Sequence, residues 1–136
     1  MYMTSDSSGR LYTTDLSDQA ARGTFYLAQT SLNDGRLTDY ERLKIEPYFG
    51  KQAHPCIAPD GRTILFDANG RTFVSFKKED GRWGTAIDLT QHGFDPKAGL
   101  AYISPDGKYL FFSYDHDIWW VDIQVIEKLR PKDKSK

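Results

Sequence analysis

Two short stretches of the chain are apolar without alternation, Ile64-Leu65-Phe66 and Leu110-Phe111-Phe112. An uninterrupted apolar run of this length predicts a β-strand covered on both faces, because a half-exposed strand alternates. Each run follows the same corner. Ile57-Ala58-Pro59-Asp60-Gly61 precedes the first and Ile103-Ser104-Pro105-Asp106-Gly107 the second, 46 residues apart. Proline presets φ at the first corner position, aspartate can accept bonds from nearby backbone amides, and glycine tolerates positive φ. The pattern therefore reads strand, three-residue turn, strand, and its recurrence marks a repeat protein.

A second turn type keeps the same period: Asn33-Asp34-Gly35-Arg36 returns as Glu79-Asp80-Gly81-Arg82. Two turn types interleaved at one period predict a unit of four antiparallel strands, a to d. In the clearest unit, a is His54 to Ile57, b Thr63 to Asp67, c Thr72 to Lys77 and d Arg82 to Leu89. The next unit offers a from Leu100 to Ile103, b from Tyr109 to Tyr114 and c from Asp117 to Asp122, then changes period. Apolar residues at Ile123, Ile126 and Leu129, with Val125 beside them, predict a short helix that Pro131 stops. The remaining tail to Lys136 reads as frayed. Earlier in the chain, Ser8 to Thr14 is a worn copy of the first corner and strand, Tyr2 to Ser5 a strand before it, and Gly23 to Ala28 a strand after it. The expected architecture is all-β, with one repeat domain over residues 1–136. Its units span about 1–46, 53–90 and 99–123, followed by the helix and tail 123–136.

Composition narrows the function more than it defines it. At 136 residues with 39% apolar and 14% aromatic side chains, the chain can bury a core. A formal charge of −1 provides no field to recruit nucleic acid or an anionic membrane. The single cysteine, Cys56, excludes an intrachain disulfide and a paired-cysteine zinc site. No apolar run approaches the ~18 residues of a membrane span, and the first residues lack the basic and apolar regions of a signal peptide. These features lead us to expect a soluble protein not exported by a signal of its own.

The segments Ile57-Ala58-Pro59-Asp60-Gly61 and Ile103-Ser104-Pro105-Asp106-Gly107-Lys108-Tyr109-Leu110-Phe111-Phe112 resemble the PD40, or WD40-like, repeats of TolB-type β-propellers. Asp117-Ile118-Trp119-Trp120-Val121-Asp122, running into the Val125 to Pro131 tail, is similar to the C-terminal end of such bacterial proteins. The resemblance is strongest from His54 to Pro131. It implies four-stranded blades packed face to face around an axis, and complete relatives carry about six and are often exported. Propellers typically need ~4–8 blades. Three blades, the last lacking a strand, would leave apolar faces open. A homodimer that completes the ring follows as an expectation, with the N-terminal strand of one copy filling the outer edge of the other. Two alternatives are a two-sheet sandwich and a segment of a longer chain.

On this reading His54, Cys56 and Tyr102 lie on the innermost strands and could meet a ligand at the channel mouth. The plainer reading makes His54 a satisfied loop residue and Cys56 a small buried group. Asp115-His116-Asp117 invites a metal, but nothing nearby supplies further ligands, so a polar turn is favoured and no metal or cofactor is expected. Asp60, Asp106, Asp34 and Asp80 are explained as turn residues. Trp119 and Trp120, adjacent on a strand, must point to opposite faces and are expected in two interfaces. No Gly-x-Ser-x-Gly or phosphate loop occurs. The reading favoured is a non-enzymatic binding scaffold, with a protein or small-molecule partner. The alternative is a propeller-type hydrolase or lyase acting on sugars or peptides through paired carboxylates, for which Asp95, Asp115 and Asp117 are the candidates.

Overall fold

A computed structural model describes residues 3–132. It is all-β, with three antiparallel sheets of four, four and three strands and no closed barrel. The first sheet contains β1 (Met3–Ser5), β2 (Leu11–Asp15), β3 (Tyr26–Asn33) and β4 (Arg36–Arg42) in that order, with a single helical turn, α1 (Gln19–Arg22), between β2 and β3. The second contains β5 (Ala53–Ile57), β6 (Thr63–Ala68), β7 (Arg71–Phe76) and β8 (Ile87–Asp88). A 3-10 turn over Leu89–His92 leads to the third, β9 (Gly99–Ile103), β10 (Tyr109–Tyr114) and β11 (Asp117–Asp122), and then to α2 (Gln124–Glu127). Tyr2 and the tail residues 133–136 lie outside the described residues.

The corners behave as their chemistry dictates. Gly61 and Gly107 take φ of +72° and +73°. Asp60 accepts the Arg62 amide at 2.9 Å and Asp106 the Lys108 amide at 3.0 Å. The worn first copy is one residue tighter: its closing bond runs from the Asp6 amide to Arg10 O, against Ala58 to Thr63 and Ser104 to Tyr109 in the others. Asp6 compensates by accepting from the Ser8 and Arg10 amides.

With that offset, the registers of the three sheets superpose position by position. Thr4 pairs with Tyr12, Cys56 with Leu65 and Tyr102 with Phe111. Tyr12 pairs in turn with Gln29, Leu65 with Val74 and Phe111 with Trp120. These side chains point towards the following sheet, on what we term the forward face. The neighbouring positions Ser5, Ile57 and Ile103, and Leu11, Ile64 and Leu110, form the rear face. Forward residues Tyr12 and Leu27 of the first sheet meet rear residues Ile57, Ile64, Phe66 and Phe73 of the second in one apolar core. Forward residues Cys56, Leu65 and Val74 of the second meet Ile103 and Leu110 of the third in another. The sheets thus stack in chain order, with the second covered on both sides.

Two expectations need correction. The strand expected from Arg82 to Leu89 is only Ile87–Asp88 plus one bridge from Lys77 to Trp83. Its middle bends away because the Ala86 amide bonds Glu46 O in the connection between the first two sheets. The short helix expected after Ile123 is present as a single turn, with Ile126 fully buried as its spacing required. Lastly, β1 pairs with β2 in its own sheet and packs against β5, with Thr4 bonded to Pro55 O and to the Ile57 amide. An N-terminal strand already held in this way is not available to complete another copy. Beyond α2 the chain turns back onto the second sheet. Arg130 donates to the Thr63 hydroxyl at 2.8 Å and lies 4.6 Å over the Phe76 ring.

Candidate functional site

The inner strands β5 and β9 carry the three residues singled out for the channel, and the structure separates them. His54 sits in the left-handed region at φ +52°, with its ring half exposed and Nδ1 3.1 Å from an Asp67 carboxylate oxygen. Its own amide donates to the Thr14 hydroxyl at 3.0 Å, tying the second sheet to the first. Cys56 is buried between the second and third sheets, where its sulfur accepts the Ile103 amide at 3.1 Å. Burial pushes its thiol up to about 11, so the group is a neutral, sealed packing element. Tyr102 occupies the equivalent position one sheet later and is exposed on the far side of the third sheet.

What gathers around His54 instead is Asp67, a residue the sequence reading passed over. Its carboxylate receives His54 and stands beside the Leu100 amide and the Thr72 side chain, whose hydroxyl donates to Ala98 O at 3.1 Å. Burial pushes the Asp67 carboxyl up from its ordinary value, opposed by the bonds from His54, Leu100 and Thr72. Asp67 stands where Thr14 stands in the first sheet. Each accepts an amide from the left-handed residue, Leu100 or His54, of the next inner strand. The signal in the sequence was an acid closing the apolar run Ile64-Leu65-Phe66, since a carboxylate there must find donors. The cluster acts as a polar joint between sheets.

Asp115 and His116 form the two-residue turn between β10 and β11, at φ +50° and +62°. Asn69 and Gly70 make the same turn in the second sheet, at +50° and +69°. Asp117 accepts the Ile118 amide at 2.8 Å. Asp95 caps the Lys97 amide and accepts from the Tyr114 hydroxyl at 3.3 Å. All four side chains are exposed. Among the described residues, no group of three His, Cys, Asp or Glu side chains has metal-binding geometry. Two surface hollows of about 560 Å³ each lie elsewhere, one beside Phe49 and Arg71 and the other beside Lys77, Arg82 and Trp83.

The largest unexplained chemistry is apolar. On the forward face of the third sheet, Phe111 pairs with Tyr102 on one side and Trp120 on the other, a row of three aromatic rings across the sheet. Leu100, Tyr109 and Ile118 extend the row along the strands. Leu65 and Val74, at the positions of Phe111 and Trp120, are fully buried, whereas Trp120 is 61% and Ile118 73% exposed. Trp119 does point to the opposite face, as expected, but it too is half exposed, because β11 is the sheet's outer strand and no fourth strand flanks it among the described residues. Its ring N–H bonds Tyr114 O, and Trp120 stands edge-on to Tyr109. The pair is therefore not buried in two interfaces. Comparison with family models and with curated proteins finds no match to this chain.

Proposed function

We propose that this chain is a non-enzymatic scaffold of the TolB-like propeller kind, contributing three blades to a ring that a second copy completes. The observation that carries the reading is the forward face of the third sheet. Tyr102, Phe111 and Trp120 occupy the positions of Cys56, Leu65 and Val74, which are core in the second sheet, yet Tyr102 and Trp120 are exposed beside Ile118 and Phe111 is only half buried. Contiguous exposed apolar surface of that kind marks an interaction site. Aromatic rings are the side chains whose burial contributes most to association. In the assembled ring, the seam at His54 and Asp67 and the exposed inner-strand residues would face the channel, where a peptide or small ligand could be held. A hydrolytic reading finds less support, since Asp95, Asp115 and Asp117 sit on exposed turns and line neither hollow.

The test is solution mass by light scattering over a dilution series. The proposal expects a species of twice 15.6 kDa that persists into the low micromolar range. A folded particle of 15.6 kDa at every concentration would refute it.

A further inference from the structure

The two open faces of the stack are unlike each other, and their difference fixes how two copies would meet. We infer that the forward face of the third sheet docks on the rear face of the first sheet of a second copy, head to tail, rather than against its own equivalent. This rests on the self-association proposed above and adds the pairing.

The first argument is continuity. Both internal seams join a forward face to a rear face: Tyr12 and Leu27 to Ile57 and Ile64, then Leu65 and Val74 to Ile103 and Leu110. The rear face of the first sheet, with Ser5 exposed and Leu11 and Thr13 half buried, is the third member of that series and has no sheet before it among the described residues. A seam of the same kind between copies repeats a geometry the chain already uses twice. A rotation that brings the third sheet of one copy onto the first of the other also does the reverse, so two copies close without leaving a face open.

The second argument is volume. Where the second and third sheets present Ile57 and Ile103 to the rear, the first presents Ser5. Where they present Phe66 and Phe112, it presents Thr13. The forward series runs the other way: Thr4 and Cys56 give way to Tyr102, and Gln29 and Val74 to Trp120. Met3, opposite Thr13, is a bulky exception on the rear of the first sheet, but at the paired positions just named the largest forward and the smallest rear side chains are on the two open faces. Close packing at a seam requires that large side chains meet small ones. Two forward faces would set rows of rings against each other, and two rear faces would leave Ser5 and Thr13 facing their like. Arg42 lies across part of the rear face, over the Tyr26 ring and bonded to Asp15, and covers Ala28, so the receptive area is the Ser5, Leu11 and Thr13 side. The polar joint has its counterpart too. Ser113 holds the position of Thr14 and Asp67, and its hydroxyl donates to Gly99 O, leaving lone pairs to accept an amide across the seam.

The experiment uses two charge-bearing variants of the whole chain, Trp120→Glu on the forward face and Ser5→Arg on the rear, each at an exposed position. Ile118→Glu and Thr13→Arg serve as second choices if either loses its far-ultraviolet signature. Head-to-tail docking expects each variant alone to dissociate, with a dissociation constant raised about tenfold or more. Mixing the two should recover a dimer, because one sound seam forms from the intact rear face of the first and the intact forward face of the second. If Trp120→Glu dissociates while Ser5→Arg remains as tight as the parent, the faces meet forward to forward and the inference is overturned. The reverse result overturns it in favour of rear to rear. A parent chain that is monomeric throughout removes the self-association itself, a different failure visible before any variant is made.

Discussion

The second and third sheets are built from the same repeat, with the same corner, register and b–c turn, yet they differ in what surrounds them. In the second, Leu65 and Val74 are buried on one side and Ile64 and Phe66 on the other. In the third, Leu110 and Ile103 are buried against the second sheet while Phe111 and Trp120 look outward. The apolar run Leu110-Phe111-Phe112 has the composition of a strand covered twice and the surroundings of a strand covered once. That mismatch is what the proposed second copy would resolve.

The comparison can be broken most forcefully at its centre. Leu65→Ala should cost about 2–5 kcal/mol in denaturant unfolding, the range for truncating a fully buried leucine. Phe111→Ala, measured at a dilution where the chain is dissociated, should cost clearly less despite the larger side chain. Equal losses would mean the third sheet is covered by something within the chain after all.

A smaller effect separates the two corners. Gly61 and Gly107 share their positive φ, so alanine at either should cost about 1 kcal/mol of backbone strain. A Cβ on Gly61 would in addition stand 3.1 Å from Asp6 Oδ2, whereas on Gly107 it would meet nothing within 4 Å. Thermal melting should therefore place Gly61→Ala below Gly107→Ala, and the opposite order would detach the first corner from the second.

The finest distinction is in pH. Burial pushes the Asp67 carboxyl up at the seam between the second and third sheets. At Asp15, in the first sheet, burial pushes the same way, but bonds from Ser17, Tyr40 and Arg42 prevail and hold the carboxyl well below the usual range. A raised carboxyl contributes stability below its unfolded value near ~3.9, and that contribution fades as pH rises through the folded value. A lowered one contributes above ~3.9 and loses it as pH falls towards the folded value. Relative to the parent, Asp67→Asn should therefore melt more favourably at pH 7 than at pH 3. Asp15→Asn should melt worst at pH 7 and converge on the parent in acid. Melting curves at the two pH values that moved in parallel for both variants would remove the distinction.

Much of the architecture was legible because it rests on local chemistry. Pro-Asp-Gly with a 46-residue return located the β5–β6 and β9–β10 corners, and the apolar runs located β6 and β10. The shortened β8 was not legible, since it depends on the Ala86 amide finding Glu46 O forty residues earlier. The same holds for part of the His54 and Asp67 joint: Thr72 is Asp67's own ladder partner, but Leu100 joins it only once the third sheet has stacked on the second. Cys56 and Tyr102 occupy the same repeat position, so the sequence could place them on inner strands. It could not show that one is sealed in a seam and the other left facing out, because that follows from how many sheets come after.

The return of the chain through Arg130 has a consequence for motion. Its guanidinium is bonded to Thr63 and Glu127 and lies on Phe76, so the residues after β11 are fastened to the second sheet as well as to the third, where the Ile123 amide bonds Lys108 O. The third sheet is thereby bracketed by its predecessor at both ends of its own sequence. Terminal units in stacked arrays ordinarily fray strand by strand from the free end. Here the last strand has no free end to start from. Opening must release β9, β10 and β11 together, so their amides should exchange with solvent as one cooperative group.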